Sequence, residues 1–451
     1  MYRAPCGGGA EKRNLLAPSP WCCKQRRATT ASGFPAHVPR TREEILECDR
    51  AASMQQPTVR RIGAICRAQR WSRVLLLAGG DAAAVEASLR QAAVEVTVAE
   101  AQAPAATLSG VDRLCHLAHG NDAVIGVGGG GTLDAAKAVA AVSPHGRACG
   151  DFISGSGTAA VWPAEGLPTV LVPLTPTVAA TSGRCLLWDE AGGRLSALQV
   201  QGGAGAGGSL APAVLVADAE LIGLARRNEE KAAATLQAAA AAVAVIADAL
   251  LSTGHTFKAA MHTPSVEAAL TSARVALDDP AACGIDALLA ANGAGVAASD
   301  GDVTAGAHGC LAHTIACSAF GMRWSESGGE VLGETLRPSY AAIVAALLPG
   351  ILRSVEMRGT DDERAAIAAV TRAILPRASP APASLADYLD RRFADAGLPT
   401  GPVLLTGGGD WTLEVAAQLA LRVYSSRDRT HFVMPPWMET VDNLIDVLQG
   451  E

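Results

Sequence analysis

The sequence predicts an α/β half built on a parallel sheet, followed by an all-helical half. Three observations predict it. Short apolar runs alternate with helix-length stretches from residue 57 to about 220, four consecutive glycines join one such run to an alanine-rich helix, and beyond Asp218 the composition changes to long helices. A chain of 451 residues, 49% hydrophobic and 18% charged, is long enough to bury two cores.

The elements follow in order. A helix-like stretch from Val59 to Gln69 leads to RVLLLA (Arg73 to Ala78), a short apolar run closed by Gly79 and Gly80, which reads as a buried parallel strand. Ala82 to Ala92 has helical spacing and Val94 to Ala99 gives a second strand. Val111 to His119 is helical again, and AVIGV (Ala123 to Val127) is a third strand that runs straight into glycines and a helix. Residues 168–175 form one more strand, ending in a loop that contains Pro176. Gly202 to Gly208 is a flexible glycine-rich connection. After Asp218, helices are expected at roughly 228–252, 265–277, 281–298, 304–320, 338–354, 361–375 and 410–424, with a surface connection at Pro376 to Pro382. The domain bounds that result are a basic leader at 1–56, an α/β domain at 57–220 and a helical domain at 221–451.

Charge narrows the partners. The net charge of −7 hides a leader in which residues 1–42 carry eight Lys or Arg against the single acid Glu11. The rest holds 29 basic against 43 acidic residues, a balance of −14. An acidic body with 4% aromatics and no basic stripe points away from nucleic acid and toward a small-molecule substrate. No apolar run reaches the ~18 residues of a membrane span, so no membrane role is expected, and Ala232 to Ala247 reads as a packed helix. Such alanine-rich helices suit close packing, including that of a homo-oligomer. The eleven cysteines, from Cys6 to Cys317, lack the spacing of a disulfide scaffold or a zinc knuckle and read as reduced thiols. The basic, acid-poor leader has the look of a mitochondrial or plastid targeting segment; a cytoplasmic protein with an irregular tail is the plainer alternative.

The strongest chemical signal is GVGGGGTLDAAK, Gly126 to Lys137, which follows a strand and opens a helix. Glycines let the backbone approach a diphosphate, and the amides and positive dipole end of the helix stabilise its charge. Dinucleotide binding is one reading; a tight strand-to-helix turn without ligand is the other, since the spacing differs from GxGxxG. An acid at the tip of the first strand would select against a ribose 2′-phosphate. Here the tip is Gly79-Gly80-Asp81, with the acid one or two residues late, so both NAD and NADP are admissible.

At this point the sequence resembles the iron-type (group III) alcohol dehydrogenases, whose relatives include glycerol dehydrogenases and maleylacetate reductases. Their GGGSxxDxAK motif is similar to Gly128 to Lys137, with Gly131 in place of serine. Pro173 to Thr177 (PLTPT) looks like the family's Pro-Thr-Thr loop, with Thr175 at the second threonine. Trp188 to Arg194 resembles the following hairpin, and Leu210 to Leu221 the strand that ends in Asp-Pro-x-Leu. The resemblance implies a Rossmann-like N-terminal domain and a helical C-terminal domain, the architecture shared with dehydroquinate synthase. It also implies a cleft between the domains and reversible hydride transfer between NAD or NADP and a small alcohol, aldehyde or ketone. Carried over residue by residue, the backbone amides of Gly129, Gly130, Gly131, Thr132 and Leu133 cradle the diphosphate, with Asp134 beside them and Thr175 bordering the cofactor. As for their own side chains, Asp134 reads as a charge complementing the helix dipole and Lys137 as a solvated helix residue.

The resemblance also implies a divalent metal, iron or zinc, held by an Asp and a His four residues apart on one helix and by two later histidines. Where the first pair belongs, this chain has Thr235 to Val243 (TLQAAAAAV), with no acid or histidine from Ala232 to Ala247. The later HxxxH falls on His313 and Cys317, and the last ligand on Ser327 and Gly328. One ligand position in four survives, too few donors for either ion. A different zinc site around His308, His313 and Cys317 is a lesser alternative. The readings that remain are a metal-free reductase with His313 as proton donor at the reacting centre and a catalytically inactive dinucleotide-binding or oligomer-forming paralogue. His116 and His119, three apart, are expected to be structural.

Overall fold

The computed structural model describes residues 58–101, 106–153, 166–183, 185–191, 194–198, 210–218, 221–222, 228–252, 264–280, 284, 286–291, 340–375, 384–398, 401, 412–425 and 440–449. Among the described residues, five parallel strands form the central sheet: β1 (Arg73–Ala78), β2 (Glu95–Glu100), β3 (Ala123–Gly128), β4 (Thr169–Pro173) and β7 (Val214–Leu215), in the order β2-β1-β3-β4-β7. The helices between them are α1 (Ile62–Ala68), α2 (Ala83–Gln91), α3 (Leu108–Ala118) and α4 (Gly130–Val142).

Alternation along each strand sorts the side chains into two cores. Leu75, Leu77, Val124 and Leu171 pack with α3 and α4, while Val74, Leu76, Ile125, Val127, Val170 and Val172 pack with α1 and α2. All six residues of β3 are buried, as a strand covered on both faces requires. Of Leu210 to Leu221, the stretch that resembles a family strand, Val214 and Leu215 pair with β4 among the described residues, and Asp218 turns inward to accept the Val59 N–H at 3.1 Å.

The antiparallel hairpin β5 (Cys185–Asp189) and β6 (Arg194–Leu198) joins the two halves. Cys185, Leu187 and Leu198 enter the core under α3 and α4. Leu186, Trp188 and Leu195 point the other way, into the helical core. A strand's period of two thus makes one hairpin serve both domains. The hairpin's turn is fastened by Glu190, whose carboxylate accepts the Ser109 N–H at 3.1 Å and the Ser109 hydroxyl.

That fastening titrates. The Ser109 hydroxyl, and then the Ser109 amide, hold the Glu190 carboxyl below its usual range. A depressed folded pKa contributes stability that is present above the unfolded value and lost as pH falls through the folded one. Ser109→Ala is therefore expected to lower stability by about 0.5 kcal/mol at pH 7, a small figure because the site is exposed. Urea unfolding curves of parent and variant should converge as acid protonates Glu190.

The helical half contains α5 (Asn228–Ser252), α6 (Pro264–Asp278), α7 (Tyr340–Arg358), α8 (Asp361–Ile374), α9 (Leu385–Asp395), α10 (Leu413–Ser425) and α11 (Val441–Gln449). Helix α5 spans the expected 228–252, packs on α6 and α7, and is buried along Ala238 to Val243. Alanines lack side-chain bulk, so neighbouring backbones approach closely. Of the expected helix at 281–298 only residues around 284–291 are described, and the expected helix at 304–320 lies outside the described residues. Helices α9 and α11 were not expected. Among the described residues no helix is long and apolar enough to cross a membrane.

Candidate functional site

The strand order fixes where a ligand crevice lies. The chain passes from β1 to β2 on one side and then crosses to β3 on the other, so the connections diverge outside the C-terminal ends of β1 and β3. Gly79 to Asp81 and Gly128 to Gly131 meet there. The strand ladder continues slightly beyond its ends, with Gly79 N–H donating to Val127 O and Leu174 N–H to Gly128 O, both at 2.9 Å.

Glycine is required at these tips because α4 starts so close to them. A Cβ on Gly79 would lie 1.9 Å from the Thr132 Oγ1, and one on Gly128 would lie 2.6 Å from it. The buried Thr132 side chain therefore wedges between the ends of β1 and β3. Further along, a Cβ on Gly126 would meet the Ala136 Cβ at 2.7 Å, so this glycine lets α4 lie against the sheet.

Gly129 is the N-cap of α4, and no side chain caps the helix. The first bond inside the helix runs from Leu133 N–H to Gly129 O at 3.1 Å. The expectation that the Leu133 amide reaches a ligand is thus corrected: that amide closes the first turn, and the Leu133 side chain is in the core. The amides of Gly130, Gly131 and Thr132 precede that turn and meet no acceptor among the described residues. Gly129 to Gly131 are half-buried, which leaves this end of the helix approachable.

The loop after β4 faces these amides. The Thr175 Oγ1 stands 3.4 Å from where a Cβ on Gly129 would be, and the Thr177 Oγ1 2.9 Å from the equivalent point on Gly130. Thr177 also accepts the Ala179 N–H at 3.2 Å, which turns its hydroxyl hydrogen to other acceptors. Sequence reasoning assigned Thr175 to this place and gave Thr177 no role. Its position two residues later, across Pro176, was the available signal.

Asp134 and Lys137 differ from expectation. Lys137 is not solvated: its side chain is fully buried, with Nζ 2.9 Å from the Asp134 Oδ1. The Asp134 Oδ2 accepts the Leu186 N–H at 3.1 Å. Asp134 therefore faces the β5–β6 hairpin. Burial pushes its carboxyl up, and Lys137 and the Leu186 amide only partly offset this.

Asp81 is exposed at the tip of β1, where its Oδ1 accepts the Ala83 N–H at 3.0 Å and starts α2. His116 and His119 are exposed at the end of α3 just before β3, at the end of the strands opposite the glycine tips. His308, His313 and Cys317 lie outside the described residues. Four described cysteines carry thiols: burial pushes Cys66 to about 11 and Cys115 to about 12, while Cys149 and Cys185 are also raised. Protonated at neutral pH, they are poor nucleophiles.

The two implied groups fare differently. A diphosphate suits three amides without acceptors at a helix N-terminus. For a divalent metal, Ala232 to Ala247 of α5 offers no carboxylate or imidazole: Thr235 and Leu236 are 1% exposed and Ala239, Ala240 and Ala242 are 0% exposed where two ligands would project. Among the described residues no three His, Cys, Asp or Glu side chains converge on a common point.

Known proteins share this fold. Residues 52–200 match the family model described as iron-containing alcohol dehydrogenase. The structure is similar to that of the halo-thermophilic archaeal alcohol dehydrogenase from a Red Sea brine pool, with a TM-score of 0.69 and 15% identity over 87% of this chain and 94% of that one. NADH-dependent butanol dehydrogenase A of Thermotoga maritima gives a TM-score of 0.65 and 17% identity over 87% and 94%. A 1,3-propanediol oxidoreductase gives 0.63 and 15% over 87% and 96%. No curated protein matches the chain in sequence. Residues 52–200 are thus similar to the iron-containing alcohol dehydrogenase family, and the fold is that of the alcohol dehydrogenase structures just compared.

Proposed function

We propose that the chain binds NAD or NADP in the crevice beside α4 and acts, without a resident metal, as an oxidoreductase on a small alcohol, aldehyde or ketone. The observation that carries this reading is the set of Gly130, Gly131 and Thr132 amides, which meet no described acceptor, at the sheet's switch point. Those amides hold the diphosphate, the α4 dipole complements its charge, and Thr175 and Thr177 close the groove from the opposite side. Asp81 lies one or two residues past the usual place of a ribose-binding acid, so either cofactor suits the site. When bound, the nicotinamide supplies the hydride acceptor or donor. His313 is the residue assigned to proton transfer at the reacting centre, on the strength of the sequence motif.

Titrating the purified protein with NADH and with NADPH, while following nicotinamide fluorescence, tests the binding. Saturable binding of at least one is expected, and failure of both overturns the reading. An aldehyde-reduction panel run beside metal analysis tests the chemistry. Activity should survive a chelator, and His313→Ala should lower kcat about 100-fold or more. A second reading, dinucleotide binding without turnover, is favoured by the buried alanines of α5, which occupy the place of two metal ligands in the related enzymes. A parent protein that binds the cofactor but reduces nothing across the panel decides for it.

A further inference from the structure

Helix α4 carries a buried ion pair that the proposed binding does not use. The Lys137 side chain is 0% exposed and that of Asp134 9%, in an otherwise apolar helix. Desolvating both charges offsets most of their attraction, so a well-packed apolar pair would hold the helix about as firmly. Stability alone does not explain them. Directed bonds do distinguish them from apolar residues. The Asp134 Oδ2 accepts the Leu186 N–H, while the Lys137 Nζ donates to the Ser182 carbonyl oxygen at 3.3 Å and lies 3.4 Å from the Ser182 Oγ.

Ser182 and Leu186 end the segment that leaves β4, and this segment carries both threonines facing the glycines. Its near end is fixed by the Leu174 N–H bond to Gly128 O. Its far end is fixed by the ion pair. We infer that Asp134 and Lys137 are positioning residues, which pin the far end of segment 174–186 so that the Thr175 and Thr177 hydroxyls stay over the α4 amides. The role in affinity rests on the dinucleotide reading; the role in holding the segment does not.

The test is the double variant Asp134→Val with Lys137→Met, which removes the acceptor of the Leu186 N–H and leaves no lone buried charge. Hydrogen exchange, thermal unfolding and NADH or NADPH titration are read together. Exchange at 178–186 should rise at least 10-fold while α5 and α7 keep their protection. The unfolding temperature should change by only a few degrees, and the dissociation constant should rise at least 10-fold. Thr177→Val should weaken binding in the parent and add little in the double variant, since coupled residues are not additive. Additive losses would mean that the pair acts independently of the threonines, and would overturn the inference. So would unchanged exchange at 178–186. Ser182→Ala leaves both charges paired, and covers the case in which the double variant does not fold; it should raise exchange in the same segment about threefold. If the parent binds neither cofactor, the dinucleotide reading falls while the exchange measurement still decides whether the pair holds the segment.

Discussion

Gly129→Asp is expected to abolish dinucleotide binding without destabilising the protein. Gly129 caps α4 with φ −82° and ψ −177°, an extended conformation that any residue adopts. A Cβ there would meet the Thr175 Oγ1 at 3.4 Å, an ordinary contact. Aspartate is a preferred N-cap, and its carboxylate reaches the amides of the second and third helical residues, here Gly131 and Thr132. The helix should gain a few tenths of a kcal/mol over glycine. A diphosphate, however, loses the same donors and meets a negative charge. Each charge-assisted hydrogen bond is worth roughly 1.5–3 kcal/mol, so losing two lowers affinity by at least about 100-fold. Gly129→Ala adds bulk without charge and should change affinity little. Fluorescence titration with NADH and NADPH beside thermal unfolding measures both effects, and binding by Gly129→Asp at the parental level would move the ligand away from α4.

The glycine cradle was legible because its determinants are local. A fully buried parallel strand needs an unbroken apolar run, and a helix that starts directly after it needs small residues at the junction. Ala123 to Gly131 meets both conditions. The Leu133 amide was misplaced by a matter of counting. Once the helix starts at Gly130 and is capped by Gly129, the residue four beyond the cap is the first whose amide bonds within the helix. The burial of Asp134 and Lys137 was missed because their spacing, three apart on a helix, is equally suited to a solvated face. What buries them is the β5–β6 hairpin, more than 40 residues later in the chain, and no local pattern announces that docking.

The helical half divides in the same way. Helix α5 was legible to its ends because a long alanine-rich stretch has strong helix propensity and no competing strand signal. Helix α9 was passed over because its sequence, LADYLDRRFAD, is rich in charge. Its buried residues, Leu385, Ala386, Tyr388, Leu389 and Phe393, nevertheless form one helical stripe, and Ser384 caps it by accepting the Asp387 N–H at 3.1 Å. Counting the stripe rather than the mean polarity finds it. Helix α11, with Leu444, Val447 and Leu448 buried, carries the same kind of signal in only nine residues.

Ala239→Asp carries the largest expected loss of stability. Ala239 is 0% exposed in the middle of α5, within the core that α5 shares with α6 and α7. Its cluster is built from alanine, valine, leucine and isoleucine with Tyr388 and Phe393, which offer a carboxylate no cation, and the Tyr388 hydroxyl already donates to Asp278. An acid placed there either stays ionised without a partner or takes up a proton and remains poorly bonded, at a loss on the order of 3–5 kcal/mol. Against a typical total of about 5–15 kcal/mol, that removes a large share of the stability. Ala239→Ser, small and neutral, should lose only about 1 kcal/mol and separates buried charge from added size. Iron or zinc should not rescue the aspartate variant, because one carboxylate among alanines lacks the further donors that either ion needs. Urea unfolding with and without added metal measures each step. Full stability of Ala239→Asp, or its recovery by metal, would mean that α5 lines a polar cavity; the packing that argues against a resident metal would then be gone.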